Sequence, residues 1–193
     1  MTNIAIFVSG SGSNCENIIR YFKDDDRVNI SLVVSNRPDA YALTRAKNLN
    51  IETAVIPKTA FNDPNSVLPI LKHHNIDFIV LAGFLLMIPE WLIDAYNRRM
   101  INLHPALLPK FGGKGMYGHH VHEAVKAARE SETGMTVHWV SPICDGGEII
   151  AQYKTSLSPT DTIDDIAEKE HLLEMKYFPQ IIEETLRHEK LIE

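Results

Sequence analysis

Cysteine is nearly absent from this chain: Cys15 and Cys144 are the only two among 193 residues. Two thiols make no disulfide framework, and their scarcity suits a reducing compartment. No apolar run approaches the roughly 20 residues of a membrane span. The first one, Ile4–Val8, has no basic segment before it, so it does not read as a signal peptide. Basic tracts are missing as well. With 19 Lys and Arg against 25 Asp and Glu the formal net charge is −6, which argues against nucleic acid as a partner. Internal repeats and low-complexity tracts are also lacking. These absences point to a soluble, cytoplasmic protein without membrane or nucleic acid as partner, with monomer and homodimer both open. The length fits one domain over 1–193, large enough for a core that needs no staples.

What is present is an alternation of strands and helices. Ile4–Val8 reads as a parallel strand buried on both faces. A helix with Ile18, Ile19 and Phe22 on its apolar side follows, then a strand over Val28–Val34 and a helix from an Asp39 cap to about Leu49. Ile51–Ile56 is a third strand, residues 58–63 a loop, and Pro64 opens a helix to His74. Asp77–Gly83 is the most apolar strand and is expected at the centre. Pro89 opens a short helix to Tyr96, and Arg99–His104 is the fifth strand. This repetition predicts an α/β fold, a Rossmann-like, doubly wound and mostly parallel sheet, with residues 1–104 as its phosphate-binding half. Residues 105–193 change character. A proline- and glycine-rich connection over Pro105–Gly118 leads to a helix over His122–Arg129 and two strands, Met135–Val140 and Glu148–Leu157, expected as an antiparallel extension. A C-terminal helix capped by Asp161 or Thr162 runs to about His188, and Pro179 is expected to kink or split it.

Chemistry-bearing residues concentrate in a few places. In Asn102-Leu103-His104-Pro105 the period of a strand puts Asn102 and His104 on one face, and Pro105 ends the strand there. Both would then stand at a strand's carboxyl end, where open α/β sheets bind ligands. Ser9-Gly10-Ser11-Gly12-Ser13-Asn14 joins the first strand to the first helix, and it is neither a dinucleotide fingerprint nor a Walker A loop. Two readings stand side by side: Ser11, Ser13 and Asn14 help to bind a single phosphate at the helix start, or Ser13 or Asn14 simply caps that helix. Asp145-Gly146-Gly147 either presents a carboxylate on a permissive backbone or makes an ordinary hairpin turn. Cys144 beside it reads as a packed thiol, not a nucleophile. His119, His122 and Glu123 could ligate zinc, but Lys126 stands where a metalloprotease motif needs its second histidine, so solvated histidines at a helix start are the better account. Gly112-Gly113-Lys114-Gly115 reads as a flexible lid. His138 either faces the site or is satisfied in the core.

Taken together, Ser9–Asn14, Leu81-Ala82-Gly83-Phe84, Asn102-Leu103-His104-Pro105-Ala106-Leu107-Leu108-Pro109, and Thr136-Val137-His138 with Asp145-Gly146-Gly147 resemble the phosphoribosylglycinamide formyltransferase family over almost the whole chain. The resemblance implies transfer of a formyl group from 10-formyltetrahydrofolate, as co-substrate, to the primary amine of glycinamide ribonucleotide in purine biosynthesis, without a metal. It implies Asn102, His104 and Asp145 as the catalytic trio. Ser11, Gly12, Ser13, Asn14 and Glu174 would contact the phosphoribosyl substrate. Leu85, Leu86, Met87 and Ile88, with Asn102 and with Pro142, Ile143, Cys144 and Asp145, would line the folate pocket. In that chemistry Asn102 and a protonated His104 donate to the formyl oxygen, and Asp145 favours the imidazolium. Three departures stand out, the first being that residues 61–66 contain no basic side chain for the folate tail. Leu86 occupies a position where the family commonly has arginine, and Phe111–His120 is longer and richer in glycine than in many relatives. A sister formyltransferase, a formyltetrahydrofolate hydrolase and a non-catalytic nucleotide-binding module are the alternatives.

Overall fold

A computed structural model describes residues 1–193. Strand β1 (Thr2–Val8) is flanked by β2 (Val28–Ser35) and β4 (Phe78–Leu81), and the full sheet runs β3-β2-β1-β4-β5-β6-β7. The remaining strands are β3 (Glu52–Val55), β5 (Met100–His104), β6 (Glu132–Trp139) and β7 (Ile149–Ser156). Strands β1 to β5 pair in parallel, and β6 is antiparallel to both β5 and β7. The apolar strand expected at the centre is β4, fourth of seven.

Alternation along β1 divides the core between the two faces of the sheet. Ile4, Ile6 and Val8 pack with Ile18 and Ile19 of α1 (Ser13–Tyr21), with α2 (Tyr41–Asn48), and with Phe178, Ile182 and Leu186 of the C-terminal helix. Ala5 and Phe7 point the other way, into a cluster with Phe61, Val67 and Leu92. Those residues come from α3 (Lys58–Phe61), α4 (Pro64–His73) and α5 (Glu90–Ala95). Burial of both faces explains why β1 and β4 read as unbroken apolar runs. Because the chain leaves β1 toward β2 and returns to β4 on its other side, a crevice opens at the carboxyl ends of β1 and β4. Ser9 stitches that crevice: its amide donates to the Gly83 carbonyl at 3.0 Å, and its Oγ accepts from the Leu85 amide at 2.9 Å.

Four local expectations are corrected. Residues 58–63 are not all loop, since Lys58–Phe61 makes a helical turn that buries Phe61. Asp39 does not cap α2: Ala40 holds that position, and the Asp39 carboxylate pairs with Arg37 at 2.9 Å. Helix α6 begins three residues earlier than its apolar pattern suggested, at His119, and ends at Ala127. Pro179 does not split the C-terminal helix α7 (Ile163–His188). Proline removes the amide that would have bonded the Met175 carbonyl, and Asn17 of α1 supplies a donor there instead, its Nδ2 at 2.8 Å from that oxygen.

Candidate active site

A cavity of about 710 Å³ occupies the crevice, and every site residue that the family resemblance implied lines it except Pro142; His119 and Glu123, weighed as metal ligands, do not. Its walls come from the loop after β1, the loop after β4, the end of β5, residues 113–118, the β6–β7 loop and one side of α7.

At the β5 end the antiparallel register sets Asn102 opposite His138, and His104 opposite Thr136. The ambiguity over His138 is thereby resolved: it is 3% exposed, and it faces Asn102. Its Nδ1 lies 2.9 Å from the Trp139 carbonyl, which can only accept, so Nδ1 carries the proton and Nε2 accepts from Asn102 Nδ2 at 3.0 Å. That bond orients the amide and leaves its second N–H free.

His104 is 3% exposed. Its Nε2 donates to the Phe111 carbonyl at 2.8 Å, and its Nδ1 stands 3.5 Å from Asp145 Oδ2. Burial pushes the imidazole pKa down; Asp145 and the Phe111 carbonyl pull it back, but burial prevails. The expectation that Asp145 makes His104 a standing cation is therefore corrected: the resting ring is biased to the neutral form. Should Nδ1 gain a proton, both ring nitrogens would already face acceptors. Burial works to raise the Asp145 carboxyl as well, yet its contacts, the Gly113 amide donating at 2.9 Å among them, hold it below the ordinary aspartate range. Asp145 reaches this spot because the chain turns tightly behind it. A Cβ on Gly147 would lie 1.7 Å from the Trp139 carbonyl oxygen, so only glycine fits. Cys144 is held protonated by burial and by Asp145, which suits a packed thiol.

The loop after β1 forms the opposite end. Gly12, with φ of 77°, is the N-cap of α1, and no side chain caps the helix. Neither Ser13 nor Asn14 is the cap, which removes the blander reading of this loop. A Cβ on Gly12 would meet Ala42 Cβ at 2.4 Å, so α2 braces the loop against any larger residue. The first-turn amides of α1, unclaimed by a side chain, suit an anion. Asn14 Nδ2 donates to Glu174 Oε2 at 2.7 Å, which links α1 to α7 across 160 positions. His171 Nδ1 lies 3.3 Å from the same oxygen, and this contact raises the His171 pKa.

Sequence reading missed several residues of this cavity. Glu170 is 2% exposed and sits 3.6 Å from His122 Nε2; burial and the neighbouring Glu174 push its pKa well up. The Phe111 carbonyl and the Gly113 amide, which touch His104 and Asp145, carry no side-chain signal at all. His138 was not missed but left between site and core, and period two in β6, which sets it on the face of Thr136, could have placed it. His119, His122 and Glu123 do not converge: Glu123 faces His120 at 3.4 Å while His122 faces Glu170. Leu85 and Met87 after β4 and Ile143 of the β6–β7 loop are exposed at 52%, 56% and 70%, forming an apolar mouth suited to a flat ring system.

Residues 2–182 match the family model described as "Formyl transferase". Among curated proteins, phosphoribosylglycinamide formyltransferase of Bacillus subtilis is 35% identical over 96% of this chain and 95% of its own length. The chloroplastic enzyme of that name from Arabidopsis thaliana is 35% identical over 95% of this chain, which spans 66% of the plant protein. The crystal structure of phosphoribosylglycinamide formyltransferase from Bacillus halodurans superposes with a TM-score of 0.87 at 32% identity, covering 96% of this chain and 95% of that one. With the sheet order, the crevice and these likenesses together, the chain belongs to the phosphoribosylglycinamide formyltransferases of the formyl transferase family.

Proposed function

We propose that this protein transfers the formyl group of 10-formyltetrahydrofolate to the primary amine of glycinamide ribonucleotide, with Asn102, His104 and Asp145 as the reacting centre. The observation that carries the reading is the two-ended cavity: Asn102, His104 and Asp145 gather at one end, and an anion-suited helix start joined to Glu174 forms the other. A module that only bound a nucleotide would have no use for the first end. The substrate phosphate sits against Gly12, Ser13 and Asn14, with Ser11 beside them, and the ribose hydroxyls reach Glu174. The pteridine ring enters the apolar mouth along Leu85–Ile88, with Ile143, Cys144 and Asp145 opposite.

The chemistry follows from these positions. As the amine attacks the formyl carbon, charge develops on the formyl oxygen, and the free N–H of Asn102, held in place by His138, donates to it. The amine must lose a proton and the departing folate nitrogen must gain one. A neutral His104 accepts the first, becomes an imidazolium between Asp145 and the Phe111 carbonyl, and returns the proton to the leaving nitrogen. No covalent enzyme intermediate is required.

The test is a formyl-transfer assay with both substrates, following tetrahydrofolate release and formylated product together. Product formation supports the reading. Tetrahydrofolate and free formate without formylated amine would assign a hydrolase instead, and turnover only with an amino sugar would assign a sister transferase.

A further inference from the structure

The cavity carries an unbalanced charge. Asp145 and Glu174 line it, as does Glu170, which burial biases to the neutral acid, and Lys114 is the only Lys or Arg that does so. Arg45, on α2, is engaged elsewhere: its Nε donates to the Ser11 carbonyl at 2.9 Å, its guanidinium pairs with Glu16, and it does not line the cavity. The Ser11–Asn14 loop therefore meets an anion with backbone dipoles and hydroxyls but with no lysine or arginine fixed there, while Glu174 stands one hydrogen bond from Asn14 and holds the one basic ring beside it, His171, in its own contact. A phosphate dianion placed there needs a countercharge to offset that carboxylate.

Lys114 is built to supply it. It makes no ion pair or hydrogen bond, and among the lysines that make none it alone lines the cavity. Its neighbours Gly113 and Gly115 have φ of 93° and 90°, and a Cβ on either would meet nothing within 4 Å, so the segment stands in open space on backbone that few other residues adopt. The segment is anchored at both ends. Gly113 donates to Asp145, and beyond Gly118 the chain enters α6, whose His122 faces Glu170 on α7. It thus runs from the reacting centre toward α7, which carries Glu174 and contacts α1. We propose that Lys114 is a specificity residue for the phosphate group of the substrate, carried to it on the Gly113–Gly115 segment.

The inference rests on the proposed function but is tested separately from it. Lys114 is exposed, so K114A is expected to fold. In steady-state assays K114A should raise KM for glycinamide ribonucleotide about 10- to 100-fold, more than it lowers kcat, in line with loss of one charge-assisted contact. It should leave kcat/KM for the unphosphorylated riboside within about twofold, and K114R should restore most of the difference. Equal losses on both substrates, or a rise confined to KM for a polyglutamylated folate, would overturn the proposal. Calorimetric titration of ribose 5-phosphate keeps the test independent of turnover. Weaker binding to K114A than to wild type supports the inference even if no formyl transfer is found, and equal binding refutes it.

Discussion

His104 is a buried imidazole with a carbonyl on one nitrogen and a carboxylate near the other, and its behaviour is decided by which influence is larger. Burial is, so the resting ring is neutral and able to accept a proton. Activity that needs the neutral ring falls as pH drops through the His104 pKa. Because that pKa lies below the ordinary value near ~6.5, the acid limb of kcat/KM should lie below pH 6.5. His138, Glu174 and Asp145 also face this ring electrostatically. Replacing Asp145 by Asn removes an attraction that raises the pKa, so in D145N the limb should move to still lower pH while the maximum falls. A limb that moved upward would contradict the assignment of His104 as the base. N102A and H104A should each lower turnover by about two to three orders of magnitude, with smaller changes in KM. Near-normal turnover in both would remove the reacting centre from this end of the cavity.

Helix α7 does much of the positioning at the level of elements. Its start is a reciprocal capping box: the Thr162 side chain accepts from the Asp165 amide, and the Asp165 carboxylate accepts from the Thr162 amide. Its middle presents Glu170 and Glu174 to the cavity, and it runs unbroken through Pro179 because Asn17 serves the Met175 carbonyl. Helix α1 and helix α7 are joined three times, by Asn14 to Glu174, by Asn17 to Met175 and by Tyr21 to Glu183. The phosphate-binding loop and the acid opposite it are therefore one mechanical unit. Thr162→Ala should cost about 1 kcal/mol of stability by removing the cap. Denaturant unfolding would measure it, with no change expected in KM because the cap lies away from Glu174. A shift in KM larger than the loss of stability explains would mean that the helix start is coupled to the site.

Across the whole molecule, the C-terminal helix is tied to the first half of the chain by a carboxylate. Glu183 accepts from Tyr21 at 2.7 Å, from Arg27 at 2.8 Å and from Arg187 at 2.8 Å. The Tyr21 hydroxyl contributes most, followed by the two guanidinium groups, and together they lower its pKa to about 2. A carboxyl whose folded pKa lies below its unfolded value near ~4.3 adds stability that is fully present above that value and lost as pH falls toward about 2. Melting temperature should thus fall less steeply between pH 4 and pH 2 in E183Q than in wild type, from a lower starting point at pH 7. Parallel curves would show that Glu183 does not link closure of α7 to pH.

Period and punctuation, which belong to the sequence, were enough for the strands and for the helices other than the turn at Lys58–Phe61, for the central place of Phe78–Leu81 and for the shared face of Asn102 and His104. Each depends on contacts between near neighbours along the chain. The motifs also pointed to Gly12–Asn14 and Asp145, since glycine at a tight turn is a local demand. What required the tertiary structure involves partners far apart in sequence. His138 acquires a role only when β6 lies antiparallel to β5, and Phe111 acts through a carbonyl that no side chain advertises. The proline in α7 is tolerated only because α1 brings a donor to it. The protonation of His104 was misjudged from sequence for the same reason. The sign of its neighbour's charge can be read from a motif, but the burial that outweighs it arises only when the loop closes over β5.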